Sequence, residues 1–521
     1  MMAFFCVLAG AVLASPAVAQ DASLSTAPER TDFRETTRYA DVVAFVERAA
    51  AASPVVHVDT FGYTLEGRAL PLAIVARGLT AWTPEAVRAS GKTVVYLQGN
   101  IHAGEVEGKE SLLMLLREFA QGEHGALLDS LVLLVAPIYN ADGNERVLLT
   151  NRGRQHGPIG GMGQRPNAQG YDLNRDHIKL DSPEARSLVQ MMSQYDPHVS
   201  VDLHTTNGTL HAYYLTYSPP LHPNTPQQII SLLREDWLPT MTRAISAKYD
   251  WDYYYYGNLQ GQGDERGWYT FDYRPRFNNN YVGLRNRIAI LSEAYSYATF
   301  EDRITATSRF VDEILTYAHA NASRIRSIVA QAQATPVIGE RLSVRSDYER
   351  APQLASILMG DVVEERNPYT GETILRRLDV RTPTPMPEYG TFRGIETEVA
   401  PESYILLDPS EAVLANLSAH GVRMESVDAA LTVSGQVFRV DSSSIAPREF
   451  QGHQERTVFG AWQDGTIIVP AGAMTVSMQQ PLARLLFTLL EPRSADGLTN
   501  WNYFDESIEA GQGVPVVRVL R

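Results

Sequence analysis

The sequence predicts an α/β fold: a mainly parallel or mixed doubly wound sheet with helices on both faces, followed by an α+β accessory domain. Three observations predict it. Runs such as 92–98 (KTVVYLQ), 130–139 (SLVLLVAPIY), 198–203 (HVSVDL) and 287–292 (RIAILS) are largely apolar, as strands buried on both faces are. Longer amphipathic stretches alternate with them. Beyond about residue 336 the texture changes to short β-like segments around a Pro-rich stretch at 381–388.

At 521 residues the chain exceeds one ordinary core, and two or three domains are expected. Residues 2–14 form an apolar run that precedes Ser15-Pro16 and the small-residue pattern Ala17-Val18-Ala19. This reads as an export signal at 1–19, cleaved after Ala19, although no Lys or Arg precedes the run. It is too short to span a bilayer, and no other stretch is long and apolar enough. A secreted or periplasmic product is therefore expected. Cys6, the only cysteine, falls inside the signal, so the mature chain would lack disulfides and rest on its core. The formal charge of −15, with no Lys/Arg-rich run, argues against a nucleic-acid or anionic-membrane surface.

Residues 39–52 have helical apolar spacing, with Val42, Val43, Phe45, Val46 and Ala49 recurring on one side. Residues 55–60 and 69–76 read as strands joined by the turn Leu65-Glu66-Gly67. Helices are expected at 107–120, at 182–195 with Pro183 in the first turn, at 226–249, and through 300–334. In the C-terminal part, 437–440, 466–469 and 474–478 read as short strands and 481–490 as a helix. A further helix reads as capped by Asp408, with Pro409 first, Glu411 third and Gly421 past its end. The expected division is 20–335 for a catalytic domain and 336–521 for an accessory domain of unknown role, without an internal repeat.

Ligands of doubly wound sheets bind beyond the carboxyl ends of the strands. The chemically capable residues sit there. His102 and Glu105 follow the strand at 92–98, three residues apart at a turn that Gly104 loosens. Asn140-Ala141-Asp142-Gly143, His204 and Glu293 end three other strands. Catalytic zinc takes three N/O protein ligands and leaves a fourth position open. His102, Glu105 and His204 are the candidate ligands of one zinc ion, and Asp202, on the same side of its strand as His204, is a candidate to orient a ligand. A His three residues before a Glu is weak evidence alone among 12 histidines; a His after a second strand and a Glu after a third make it specific.

With these pieces in this order, residues 39–334 resemble the zinc carboxypeptidase family, the carboxypeptidase A/B-like metallopeptidases. Thr64-Leu65-Glu66-Gly67-Arg68 resembles the family's E-G-R turn, residues 99–105 its metal motif, and Asn140-Ala141-Asp142-Gly143 its N-P-D-G with Ala for Pro. Asp172-Leu173-Asn174-Arg175 is similar to its D-x-N-R segment, and Leu291-Ser292-Glu293 to its strand-borne catalytic glutamate. The resemblance implies a metallocarboxypeptidase acting on a peptide or protein with a free C-terminus. Glu293 would be general base, and Arg175 with Asn174 would bind the substrate's terminal carboxylate. Arg152 or Arg154 would stabilise the oxyanion, with Arg152 preferred although spacing does not choose. Tyr269, Tyr273, Tyr281 and the cluster 253–256 compete for the family's mobile tyrosine, and Asn278, Asn279 and Asn280 are expected near the specificity pocket. The stretch 20–37 is too short for the folded propeptide of digestive relatives. Alternatives on the same scaffold are a cell-wall peptide hydrolase or deacylase, or a non-catalytic binding protein. The sequence leaves the oligomeric state open.

Overall fold

The structure is a computed structural model, and it describes residues 24–520 apart from 510 and 512. The expected export signal at 1–19 lies outside the described residues. Eight strands form the central sheet: β1 (Val56–Tyr63), β2 (Ala69–Val75), β3 (Thr93–Gly99), β4 (Leu131–Ala136), β5 (Val199–Thr205), β6 (Leu215–Ser218), β7 (Tyr253–Tyr255) and β8 (Ile288–Ala294). Their order across the sheet is β1-β2-β4-β3-β5-β8-β6-β7. The four central strands, β4, β3, β5 and β8, run parallel; β1, β2 and β6 join antiparallel to their inner neighbours. The sheet is therefore mixed. Every residue of β3, β4 and β5 is buried, which explains why these strands read as unbroken apolar runs.

Helices cover both faces. Helices α1 (Tyr39–Ala52), α2 (Glu107–Ala120) and α5 (Phe300–Ala320) pack together on one side. Helix α3 (Pro183–Tyr195), capped by Ser182 Oγ, and the short α4 (Asn278–Leu284) lie against β1, β5 and β8 on the other. The first turn of α2 is buried over the end of β3, and glycine makes that approach possible. A Cβ on Gly99 would sit 2.9 Å from the backbone of Gly108, and one on Gly108 would sit 2.7 Å from Leu203 Cβ.

Residues 341–520 differ from expectation in two ways. The segments at 437–440 and 466–469 belong to one long hairpin, Leu431–Ile445 paired with Arg456–Val469, in a six-stranded sheet. The helix expected from Asp408 begins at Glu411, where Ser410 Oγ accepts from Val413 N. The helix expected at 481–490 is Ala483–Leu490, with all its residues buried.

The chain is also continuous in its packing across the region near 335. Helix α6 (Ala322–Ala334) ends there and a strand, Arg341–Glu349, begins soon after. Yet Leu342, Leu406, Leu485, Phe487 and Trp501 share one hydrophobic core with Phe45, Leu97, Val201 and Ile290. Glu388–Tyr389 pairs with Gly267–Tyr269, and Leu375 N donates to Arg154 O at 3.1 Å. The C-terminal part thus shares a core with the part that precedes residue 335.

Candidate active site

Three neighbouring strands bring the candidate residues together. In the parallel register of β5 and β8, Glu293 stands opposite His204 and Leu291 opposite Asp202, so all four side chains share a face. Gln98, on β3, stands opposite Asp202. Beyond Gly99 the chain turns through Asn100, held at φ +66°, a conformation asparagine tolerates. The turn brings His102 and Glu105 over the end of β5.

The donor atoms converge. His102 Nδ1 lies 3.1 Å from Glu105 Oε1, and His204 Nδ1 lies 2.9 Å from Glu105 Oε2. One donor atom from each of the three residues lies within 4.8 Å of the others, and all three residues are buried. The second nitrogen of each ring meets a carboxylate: His102 Nε2 contacts Asp172 Oδ1 and His204 Nε2 contacts Asp202 Oδ2, both at 2.9 Å. Those carboxylates fix the rings so that both Nδ1 atoms face inward, as metal-ligating histidines are fixed. Two imidazoles and a carboxylate turned to one point are the donor set of catalytic zinc. The surroundings also favour positive charge there. Burial opposes ionisation of His204, yet Asp202 and Glu105 hold its imidazole well above the ordinary value.

Asp202 is itself held from within the sheet. Gln98 Nε2 donates to Asp202 Oδ1 at 3.1 Å, and Tyr96 Oη donates to Gln98 Oε1 at 2.8 Å. The relay runs through residues of almost no exposure, where an unpaired polar atom would be costly. Asp202→Asn is expected to weaken zinc binding about 10- to 100-fold while the fold persists. Competition with a chelator of known affinity measures it, and unchanged affinity would detach Asp202 from the metal.

Glu293 completes the centre without joining the triad. It lines the cleft, and its Oε2 is buried without a hydrogen-bond partner. Burial pushes its carboxyl up to about 8, and the charge of Glu105 adds to this while His204 and Arg152 pull it down. An unpartnered carboxylate beside a cation site is arranged to exchange a proton with something that enters the cleft.

The segment 172–175 serves two purposes. Asp172 orients His102 and caps a turn by accepting from Asn174 N at 2.9 Å. Arg175 lines the cleft with its guanidinium 3.8 Å above the Phe277 ring, and Asn174 Oδ1 accepts from Asn278 N at 2.8 Å. Of the three asparagines expected near the pocket, Asn278 thus contacts the cleft residues; Asn279 and Asn280 are turned to the 219–221 and 272–274 backbones.

The arginines and tyrosines named as candidates are placed as follows. Arg152, at φ +54°, turns behind the centre, where it donates to Glu105 Oε1 at 2.9 Å and to the carbonyls of Thr205 and Thr206. Its donors are engaged, and it does not line the cleft. Arg154 does not line it either. Arg165 lines it instead, as Arg175 does, and lies 2.8 Å from Asp172 Oδ2 and 3.6 Å from Glu105 Oε1. Among the tyrosine candidates, Tyr256 enters the cleft, with Phe271 and Phe277 beside it. Tyr269 stacks on Tyr389, Tyr273 packs on Phe392, and Tyr281 is buried against His420.

The turn at 64–68 and the Asn140-Ala141-Asp142-Gly143 motif bind one another. Asp142 accepts from Thr64 Oγ1 (2.7 Å), Glu66 N (3.0 Å) and Arg68 Nη1 (2.6 Å), while Asn140 Oδ1 caps the next turn at Gly143 N. The two motifs form a brace beside the metal loop; their residues do not line the cleft.

Comparison with known proteins agrees with this geometry. Residues 42–272 match the family model Peptidase_M14, zinc carboxypeptidase. A carboxypeptidase 2 of Trichophyton tonsurans is 24% identical over 454 residues, covering 82% of this chain and 77% of its own. Carboxypeptidase D of Rattus norvegicus is 31% identical over 207 residues, 34% of this chain and 15% of its own. A solved metallo-carboxypeptidase from Burkholderia cenocepacia shares 17% identity, with 54% of this chain and 69% of that one covered and a TM-score of 0.40. The fungal similarity covers more of the chain than residues 1–335 could supply. The matched segment and the His-Glu-His centre at its strand ends place residues 42–272 in the zinc carboxypeptidase family.

Proposed function

We propose that this chain is a zinc-dependent carboxypeptidase that releases residues from free C-termini, using one ion held by His102, Glu105 and His204. The observation that carries the reading is a cation, Arg175, in the same cleft as the metal ligands and an unpartnered carboxylate, Glu293. A guanidinium offers two parallel donors to a carboxylate. The stack on Phe277 holds its plane, and the Asn174 amide beside it is oriented by Asn278.

A zinc ion held by His102, Glu105 and His204 would supply Lewis acidity, polarising the scissile carbonyl and lowering the pKa of water toward neutrality. Glu293 takes a proton from the attacking water at its free Oε2 and delivers it to the departing amine nitrogen. Arg165, which lines the cleft beside Glu105, faces the oxygen on which negative charge develops. Arg152 keeps Glu105 ionised: burial opposes this, and His102 and Arg152 together hold its carboxyl well below the usual range. Tyr256, Phe271, Phe277 and Leu291 line an apolar wall that would receive the terminal side chain and exclude water. The apolar run at 2–14 with its small-residue cleavage pattern supports a secreted or periplasmic enzyme.

Paired peptides that differ only in a free or amidated C-terminus test the reading. The free form is expected to be cleaved with kcat/KM about 100-fold higher or more, because an amide leaves the half-buried guanidinium without a carboxylate partner. Equal cleavage of both would point to another hydrolase on this scaffold.

A further inference from the structure

Arg276 is a charged side chain with 1% exposure, one residue before Phe277 and two before Asn278. Its partners come from the C-terminal part. Asp496 accepts from Arg276 on both sides, from the backbone N at 2.6 Å and from Nε at 2.8 Å. Glu455 Oε1 accepts from Nη2 at 2.6 Å, and the guanidinium lies 4.5 Å from the Trp501 ring. Trp501 Nε1 in turn donates to Asp496 Oδ1 at 2.9 Å. A carboxylate that binds the main chain as well as the side chain of one residue fixes where the backbone runs, beyond neutralising a charge.

The next two residues along the chain support the cleft. Phe277 is the ring under Arg175, and Asn278 N holds the Asn174 side chain. His177 closes the loop on its other side: its Nδ1 contacts Arg276 O at 3.1 Å and its Nε2 contacts Asn278 Nδ2 at 3.0 Å. The carbonyl can only accept and the amide nitrogen can only donate, so this imidazole is neutral with its proton on Nδ1. A second tie reaches Asp172, whose backbone N donates to Gln451 Oε1 at 2.7 Å.

We propose that Asp496 is a positioning residue for the carboxylate clamp, acting through Arg276 to set Phe277 beneath Arg175 and Asn278 against Asn174. The C-terminal part thereby takes a role in substrate recognition although, among the described residues, those lining the cleft all precede Ala294. The inference rests on the reading of Arg175 and Asn174 as the clamp.

The test uses the full-length, zinc-loaded enzyme and a peptide with a free C-terminus. Asp496→Asn, Arg276→Lys and Glu455→Gln are compared with Arg175→Ala. Displacing the clamp is expected to raise KM about tenfold or more in Asp496→Asn and Arg276→Lys, with kcat changed less than about threefold and zinc content unchanged. Glu455→Gln, on the more exposed side of the same guanidinium, removes a charge without leaving one buried and unpaired, and a smaller rise of the same sign is expected. Variants that keep the wild-type thermal midpoint and zinc content but show the wild-type KM overturn the proposal, and Glu455→Gln decides it if the two buried substitutions do not fold. If Arg175→Ala itself leaves KM unchanged, the clamp reading has failed; if it raises KM and the other three do not, the positioning inference alone has failed.

Discussion

Glu293→Gln is expected to keep its zinc and to lose turnover by about 1,000-fold or more. The substitution leaves most of the centre intact. Glutamine has the size of glutamate, and Glu293 is outside the group of donors formed by His102, Glu105 and His204. Its Oε2 has no hydrogen-bond partner, so the amide breaks none at that atom. Burial already opposes a charge on this carboxyl, so an uncharged amide there is expected to leave the thermal midpoint unchanged or raise it. Glutamine cannot, however, accept a proton from water. Metal analysis, thermal unfolding and kcat on one preparation separate these effects. Turnover near the wild-type rate would remove Glu293 from the role of base, and loss of zinc would make it a ligand.

The sequence carried the centre well for a physical reason. Strands buried on both faces read as apolar runs, so a polar residue at the end of one stands out, and His102, His204 and Glu293 each do. Their shared face then comes from the two-residue period of β5 and β8 in register. Arg152 against Arg165 was not legible, because the loop between β4 and α3 is long and only its folded path decides which guanidinium enters the cleft. The left-handed backbone at Arg152, which turns it behind Glu105, has no mark in the sequence. Position 408 shows a smaller version of the same limit. Asp408 and Ser410 are both good caps, but Leu407 N still donates to Pro515 O in the sheet, so the helix cannot start until the chain has left that strand. The long hairpin read as short pieces because 441–444 (DSSS) and Gly435 interrupt its apolar alternation, while backbone pairing continues through them with one irregularity. The dependence of Arg276 on Asp496, 220 residues away, is a tertiary fact that no local pattern announces.

Removal of everything after Thr335 is expected to abolish the cooperative fold, and activity with it. The helix Ala483–Leu490 lies against α4, the helix that begins just after Phe277. Its Leu485, Leu486, Phe487, Leu489 and Leu490 have no exposed surface. At about 2 kcal/mol for each such side chain, their burial is worth about 10 kcal/mol, and half of that is already comparable with the net stability of an ordinary domain. The cut also strips Asp496 and Glu455 from Arg276, leaving a cation in an apolar setting where the loss of one partner alone typically costs about 3–5 kcal/mol. Both penalties fall on the loop beside the cleft, so a fragment that stayed partly folded would lose substrate binding first. Expression of residues 20–335 with zinc, followed by thermal unfolding and peptide hydrolysis, measures this. A soluble fragment with a sharp transition and full kcat/KM would mean that the shared core stabilises the C-terminal part alone, and that the catalytic part closes its own surface without it.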